Sequence, residues 1–314
     1  MKEFKTGTGP FIHTKENYTK RIFSYLIVFI PFFVYTFYIN GLTKNISSLI
    51  QTIIFSLIPI ITVLLLETIY KILFVKNQSL KKYLKENFSL FSILFFPFLL
   101  NIKTPVYIII LSIIIAYIFY KTLFKKWYSL TILSYLVYLM ISIISNSLEL
   151  LPFYKTNNNY IELLLNGSNL MCPLISILSF IYLYIKKDIK KEITISSLLT
   201  ILFITIIYGL TKKNLLYPLY FLLTGGTLFI ITILANDFYS PTTKTGKILY
   251  GSIIGILIII LRFISKYDIT PLSIFIANTF TFTFDYINEF INKKITYIGL
   301  IITILITLLI IILL

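Results

Sequence analysis

The amino-acid sequence predicts an all-α polytopic membrane protein, and three observations support that prediction. Hydrophobic residues fill 58% of the 314 positions, and charged residues fill only 13%, about half the charged share of a soluble domain. The mean hydropathy is +0.91. The apolar residues also occur in runs near or above the ~18 residues that cross a bilayer. Because so few charges cannot build an aqueous surface, we expect lipid to be the solvent.

The apolar runs predict ten membrane spans and an eleventh at the C-terminus. The longest outside loop, Asn146–Asn169, divides the chain into two five-span blocks, so the second block is inverted relative to the first. An inverted repeat is therefore allowed, although no clear internal sequence repeat is present. The predicted spans are Ile22–Tyr38, Leu49–Leu66, Phe88–Leu100, Pro105–Tyr120, Ser129–Ile144, Leu170–Ile185, Thr194–Leu210, Leu215–Ala235, Ile248–Ile264, Pro271–Ile287 and Ile295–Leu314.

The basic residues predict the orientation of these spans. With the N-terminus in the cytoplasm, 21 of the 28 Lys and Arg residues fall on the inner side and 7 on the outer side, as the positive-inside rule requires. This bias explains the net charge of +16 without a nucleic-acid partner. It predicts a multi-pass protein of the bacterial inner membrane. The first apolar run is too long for a signal peptide and lacks a small-residue cleavage site, so we expect it to remain as an anchor.

The predicted domain boundaries follow from the loops. They are a basic cytoplasmic tail at 1–21, a first five-span half at 22–146, an extracytoplasmic loop at 147–169, a second five-span half at 170–290 and an additional span at 295–314. A single cysteine, Cys172, excludes an internal disulfide and a cysteine-based metal cluster, and a single histidine, His13, excludes a multi-histidine site. The sequence therefore predicts no metal centre.

Polar side chains inside or at the ends of the spans are candidates for an ion or ligand site, because such groups are costly in lipid. We expect Glu67 to end the second span, and Asn278, Thr281 and Asp285 to share one face of the tenth. End-of-span carboxylates can instead pair with interfacial lysines. Arg262 can reach the interface by its long stem or hold an anion. The intramembrane candidates are Glu67, Glu86, Arg262, Asn278, Thr281 and Asp285.

Small residues and a short span predict irregular geometry. Thr224–Thr227, with two glycines, interrupts the eighth span, and Gly251 and Gly255 form a small-xxx-small pair that lets helices approach closely. Phe88–Leu100 is too short for an ordinary span, so it is either a half-span beside a cavity or a tilted helix. The loop Asp237–Thr243 can cap the ninth span or hold an anion at that helix N-terminus.

Three segments of the chain match a known family pattern in the right order and at matching spacing. They are Gly9–Ile22; Leu65–Glu67 with Leu84–Leu90; and Leu222–Thr227 with Asn236–Gly251, Arg262, Asn278 and Asp285. Together they resemble the NqrB/RnfD family. Its members are membrane subunits of the sodium-pumping NADH:quinone oxidoreductase and of the Rnf ferredoxin:NAD oxidoreductase.

The resemblance implies ten helices in two inverted halves, with the C-terminal run as an addition. It implies a subunit of an ion-translocating redox complex, with other membrane subunits as partners, and FMN bound covalently to a threonine in the loop after the fifth span. The residues that it suggests for cofactor binding are Thr156, Thr227, Asp237, Ser240, Thr242 and Thr243.

The sequence also departs from the family pattern. Lys121–Ser129 replaces a glycine-rich motif, the loop that would carry the flavin is short, and Thr156, its only threonine, lacks the acceptor context. FMN or riboflavin remains a candidate ligand, but these changes argue against covalent FMN. We therefore expect a non-catalytic or redox-carrier subunit. The alternatives are a stand-alone transporter of a flavin or another small solute on the same scaffold, and an assembly subunit without chemistry of its own.

Overall fold

The computed structural model describes most of the chain, and every helix below lies within its described part. That part comprises residues 18–39, 46–75, 79–80, 83, 92–101, 103–124, 128–145, 147, 160–166, 172–236, 239–290, 298 and 300–307. These residues form helices and connecting turns, with no β-strand among them. The all-α fold class is confirmed.

The first half contains four α-helices and a short 3₁₀ segment. Helix α1 spans Tyr18–Phe37 and α2 spans Ile46–Phe74. The 3₁₀ segment, Ile93–Leu99, is buried along its whole length. Helix α3, Val106–Phe119, continues into a π turn over Tyr120–Phe124, and α4 covers Leu130–Ile144. The 3₁₀ segment replaces the described part of the third predicted span.

The second half is built from α-helices and one short 3₁₀ turn, Leu234–Asn236. A short helix, α5, Tyr160–Asn166, lies in the loop before it. The half then contains α6, Pro173–Lys186; α7, Lys191–Thr211; α8, Tyr217–Leu223; α9, Thr227–Thr232; α10, Lys244–Ile264; α11, Leu272–Thr279; and α12, Thr281–Phe290. The third position is again irregular, because α8 and the following Thr227–Asn236 stretch meet at an angle of 67°. The predicted break at Thr224–Thr227 is therefore confirmed.

Length and hydropathy identify the helices that can cross a bilayer. Four segments of the described chain are long and apolar enough: Ile50–Phe74, Val106–Leu123, Lys191–Thr211 and Lys244–Ile264; the bent pair makes a fifth. Phe23–Phe37, Leu130–Ile144 and Pro173–Lys186 are apolar but shorter. Exposed Ile, Leu and Phe side chains cover the outer helix faces, as expected against lipid. The protein is thus a multi-pass membrane protein, and the total of ten or eleven spans stays a prediction.

The two halves share one apolar core in which aromatic rings meet. Phe32 of α1 contacts Phe229 of α9 edge to face, with ring centroids 5.1 Å apart, and Phe98 of the 3₁₀ segment packs on both. On the other side, Tyr128, just before α4, stacks on Phe275 of α11 at 4.8 Å. These contacts hold the halves together and place the irregular third elements inside the protein.

Two expectations about individual spans were wrong. The second span does not end near Leu66, because α2 continues for two more turns to Phe74, so Glu67 lies within the helix. The tenth span is not one helix, because the backbone is interrupted at Phe280 between α11 and α12. Of the predicted eleventh span, residues 298 and 300–307 are described, and all of them are helical.

Candidate functional site

The first buried polar cluster lies between α2 and the π turn that ends α3. The Glu67 side chain is fully buried, and its Oε2 accepts hydrogen bonds from Lys121 Nζ at 2.9 Å and from the Tyr83 hydroxyl at 2.8 Å. Lys121 is itself only 5% exposed. This is the only ion pair among the described residues. Polar groups at such a depth are expensive, so they are expected where a protein handles ions or protons.

Tyrosine rings surround the ammonium group of this pair. Lys121 Nζ lies 4.6 Å from the ring centre of Tyr70 and 5.3 Å from that of Tyr117. The ring centres of Tyr83 and Tyr120 lie at 5.8 and 5.9 Å. Their electron-rich faces stabilise a desolvated cation. The π turn that carries Lys121 is a local distortion of a kind often found at functional sites.

Sequence reasoning identified Glu67 but missed its partner. The sequence analysis counts Lys121 with the inner-side loop after the fourth span, whereas the structure places it in the π turn that continues α3, with a buried side chain. The signal was present in the sequence, since Lys121 follows an uninterrupted apolar run. However, nothing in a single sequence links two residues that lie 54 positions apart.

The second cluster closes the break between α8 and α9. Gly225 and Gly226 both have positive φ, 67° and 59°, a conformation that glycine adopts without steric cost. The turn exposes carbonyl groups at the end of α8. The Arg262 guanidinium donates to Phe221 O, Thr224 O and Thr224 Oγ1 and stacks on the Phe221 ring at 3.8 Å. The Thr227 hydroxyl lies within hydrogen-bond distance of three carbonyl oxygens of this turn.

The Arg262 guanidinium therefore binds carbonyl groups at the negative end of the α8 dipole and does not point to solvent. Unpaired carbonyl groups carry partial negative charge at a helix C-terminus, and the partly buried Arg262 guanidinium, with five donors, can satisfy several of them at once. The Thr227 hydroxyl donates its proton to the carbonyl oxygens of the same turn. Both residues were proposed for ligand binding from sequence, and the structure brings them together at the break.

A buried carboxylate lies beside this break, in the loop between α10 and α11. Asp268 is 2% exposed; its Oδ1 accepts hydrogen bonds from Thr270, whereas its Oδ2 has no hydrogen-bond partner within the described chain. The Thr270 hydroxyl also lies 3.1 Å from Gly225 O, which ties the loop to the break. Burial raises the pKa of Asp268 to about 6, although Thr270 and the positive charge of Arg262 lower it.

The third cluster holds the loop before α10 against the start of α7. Lys190 Nζ donates to Ser240 O and Oγ, both at 2.7 Å, and to Pro241 O at 3.2 Å. Asn236 accepts from the Lys190 amide at 3.1 Å and donates to Thr194 Oγ1 at 2.8 Å. Sequence reasoning proposed Ser240 but missed Lys190 and Asn236. Asp237, proposed beside them, lies outside the described residues.

The fourth cluster places a carboxylate at the N-terminus of α10. Asp285 accepts hydrogen bonds from the backbone amides of Thr242 and Thr243, at 2.9–3.1 Å, and from both threonine hydroxyls. Thr243 Oγ1 in turn accepts from the Gly246 amide at 3.2 Å and caps α10. The expected cap is confirmed. The anion at this helix terminus is a side chain of the protein itself.

The remaining predicted residues fall in three places. Asn278 accepts a hydrogen bond from the buried Tyr250 hydroxyl at 2.5 Å. Thr281 donates to Asn278 O at 2.9 Å, a local contact across the interruption at Phe280. Glu86 and Thr156 lie outside the described residues. Cys172 is buried, as expected of a small interior residue.

One contact links the charge pair to the loops of the second half. The hydroxyls of Tyr120 and Tyr239 lie 3.2 Å apart. Tyr120 packs near Lys121, and Tyr239 precedes the Ser240 that Lys190 holds. The first and third clusters therefore approach each other at this pair of tyrosines.

Comparison with known proteins identifies the family. The model of the NQR2, RnfD, RnfE family matches residues 129–295, just over half of the chain. The D-type subunit of the ion-translocating oxidoreductase complex from Buchnera aphidicola is 34% identical over 79 residues, 24% of this chain. The subunit of the same name from Mannheimia succiniciproducens is 29% identical over 104 residues, 32% of this chain. The matched segments cover only 22% and 29% of these relatives' own lengths. Because the family model extends from the start of α4 to beyond the end of α12, the chain belongs to the NQR2, RnfD, RnfE family.

Proposed function

We propose that this chain is the RnfD-type membrane subunit of an ion-translocating oxidoreductase complex in the bacterial inner membrane, with its N-terminus in the cytoplasm. The family match over residues 129–295 is the observation that carries the proposal, and two relatives bear that subunit's name. Such a subunit acts with further membrane subunits, which are the partners we propose. The bias of Lys and Arg toward one side supports the orientation.

The buried polar region supports a part in ion translocation. It joins the Glu67–Lys121 pair through Tyr120 and Tyr239 to the loop held by Lys190. A carboxylate, an ammonium group and tyrosine hydroxyls in contact can hold a proton or exchange one with a neighbour. In an apolar protein such groups are retained at a cost, because each must be desolvated. We assign the Glu67–Lys121 pair to this role.

The contacts of the described hydroxyls argue against a covalently attached FMN on these residues. Thr227 is fully buried and its hydroxyl donates to backbone carbonyls, the hydroxyls of Thr242 and Thr243 are bound to Asp285, and the Ser240 hydroxyl is bound to Lys190. Thr227 and Ser240 are buried, and the hydroxyls of Thr242 and Thr243 already bind the Asp285 carboxylate, which argues against each of them as an acceptor. The proposed subunit therefore works without a flavin on these residues.

Affinity purification of the tagged chain from its native membranes tests the main proposal. We expect partner membrane subunits to co-purify and NADH- or ferredoxin-driven ion uptake by membrane vesicles to require the chain. Glu67→Gln should abolish uptake while the partners still co-purify, whereas Lys103→Gln, at an exposed position, should change neither. A chain that purifies alone and raises riboflavin uptake above an empty-vector control would instead identify a transporter.

In-gel fluorescence of the denatured protein tests the flavin assignment separately. We expect the band to be non-fluorescent, because each candidate hydroxyl in the described part of the chain already forms hydrogen bonds within the protein and Thr156 lacks the acceptor context. A fluorescent band, with a flavin-bearing peptide identified by mass spectrometry, would overturn that assignment and leave the family assignment intact.

A further inference from the structure

A cavity of about 590 Å³ lies where α6 meets α7, close to the start of α10. The residues around it are Tyr184, Ile185, Lys187, Asp188, Ile189, Lys190, Lys191, Glu192 and Lys247. Its volume falls in the range of small-molecule sites, roughly 300–1,000 Å³. The Glu67–Lys121 pair is not among these residues, and Lys190 is the one residue that the cavity shares with the polar region described above.

The charge around this cavity is mainly positive. Lys187, Lys190, Lys191 and Lys247 contribute four ammonium groups, and two carboxylates oppose them. Lys190 is bound to the loop before α10. Lys187, Lys191 and Lys247 form no ion pair within the described chain. Three lysines around one concave space therefore favour an anion over a cation.

The backbone adds to this preference. The first turn of α7 begins at Lys191, and the preceding residue, Lys190, makes no side-chain cap hydrogen bond to it. The amide groups of a helix N-terminus favour negative charge and suit phosphate oxygens, and Glu192 in this first turn already contributes one carboxylate. Lys187 ends α6 in the left-handed conformation, with φ of 60°, and this turn brings the end of α6 to the side of the cavity.

The rim combines this charge with apolar surface. Tyr184 and Ile185, on the last turn of α6, are 48% and 71% exposed and belong to the wall of the same cavity. A phosphate with a hydrocarbon chain would meet ammonium groups at one end and these side chains at the other. Basic pockets between membrane helices on the cytoplasmic side bind anionic lipid headgroups in this way.

We propose that this cavity binds a phosphate group, presented either by an anionic phospholipid or by a soluble phosphate compound. Lys187, Lys191 and Lys247 neutralise the phosphate, and the start of α7 contributes backbone amides. Lys190 stays bound to Ser240 and holds the loop that completes the wall. Under the orientation proposed above, the site faces the cytoplasmic leaflet.

Native mass spectrometry of the purified full chain tests the site. Delipidated protein in mild detergent is titrated with cardiolipin, phosphatidylglycerol or phosphatidylcholine, and retained lipid is counted. We expect the two anionic lipids to be retained and phosphatidylcholine not. The triple variant Lys187→Gln/Lys191→Gln/Lys247→Gln should weaken retention by about tenfold or more, since each lysine near a headgroup strengthens binding by roughly fivefold.

Two further variants separate binding from folding. Lys212→Gln/Lys213→Gln/Lys266→Gln removes the same charge at the opposite ends of the helices and should leave retention unchanged. Asp188→Asn/Glu192→Gln removes the opposing carboxylates and should strengthen retention several-fold. If the triple lysine variant unfolds, the stronger lipid retention expected for Asp188→Asn/Glu192→Gln still tests the proposal. Equal retention of all three lipids, or equal losses in both lysine variants, would overturn the proposal.

A second titration identifies the source of the phosphate. Thermal unfolding is followed in detergent with pyrophosphate or with short-chain phosphatidylglycerol. Stabilisation by the lipid alone assigns the site to a membrane headgroup, and stabilisation by pyrophosphate alone assigns it to a soluble phosphate compound. Stabilisation by neither, together with unchanged lipid retention in the triple variant, rejects a phosphate site.

Discussion

Two pairs of neighbouring helices in this molecule are joined by different means. A buried ion pair between Glu67 and Lys121 joins α2 to the end of α3. Helices α7 and α10 meet without charge, through glycines. The family match begins at residue 129, just before α4, so the ion pair lies outside the matched region. Close backbone contact stabilises the α7–α10 pair, and an ion pair contributes to the α2–α3 contact.

The difference has an energetic consequence. A helix contact through glycines does not depend on any charged partner, because dispersion between closely packed backbones stabilises it. A buried ion pair is stable only while both members are present, because either one alone is an uncompensated charge. The α2–α3 contact therefore depends on both charges of the pair, whereas the α7–α10 contact depends on the close approach that the glycines allow.

Removing one charge of the pair should have the largest effect on stability. Lys121→Met leaves Glu67 buried beside Tyr83, and we expect a loss of about 3–5 kcal/mol in the free energy of unfolding. Denaturant unfolding of the purified protein in detergent measures it. The double variant Glu67→Leu/Lys121→Met should recover much of the loss. If the double variant is as unstable as the single one, packing rather than charge holds α2 to α3.

The lone carboxylate in the loop after α10 should make stability depend on pH. The folded-state pKa of Asp268, about 6, exceeds its ordinary value of 3.8, so the folded protein binds the proton more tightly than the unfolded chain. This contribution is complete below about pH 4 and is lost as the pH rises through 6, by up to about 3 kcal/mol. Melting temperatures between pH 4 and 7 measure it. Asp268→Asn should flatten that dependence, and an unchanged profile would contradict the assignment.

The glycine contacts predict a smaller effect that depends on the obstructing atom. A Cβ at Gly255 would meet the Thr200 side chain and come within 2.9 Å of Ser197 O, whereas one at Gly251 would meet both Ser196 and Ile193 O. We expect each alanine substitution to cost about 1–3 kcal/mol. Thr200→Ala should partly restore Gly255→Ala.

The matched pair of double variants sharpens this test. Ser196→Ala should fail to restore Gly251→Ala, because the Ile193 carbonyl still obstructs the new methyl group. Thermal unfolding of the two glycine variants and the two double variants measures the difference. Equal restoration in both doubles would show that the helices separate freely and that the contact is not rigid.

The cap of α10 predicts the smallest effect. Thr243→Ala removes the hydroxyl that accepts from the Gly246 amide and donates to Asp285, and losing a helix N-cap costs about 1 kcal/mol. Thr243→Ser should retain the stability of the parent protein, as melting temperatures in detergent would report. A loss that is equal in both variants would place the effect on the methyl group instead of the hydroxyl.

Much of this architecture could be predicted from the sequence, because lipid imposes long apolar runs and charge placement. The break at Thr224–Thr227 was also predictable, since two adjacent glycines permit positive φ. The length of α2 was not predictable, because Glu67 looked like an end signal. The cost of burying Glu67 is offset by its ion pair with Lys121, and local sequence patterns do not reveal that contact. Asp268 was missed for the same reason, because its burial depends on distant elements.

The break between α8 and α9 also bears on how the chain enters the membrane. Backbone carbonyls that face hydrocarbon without a partner are costly, by several kcal/mol each. Those of Phe221 and Thr224 are satisfied by Arg262, which is synthesised about forty residues later. Thr227 offers only one hydroxyl proton to the carbonyl groups of this turn. We therefore expect the bent segment to reach its final position only after α10 has been made, so that these helices insert as one cooperative unit.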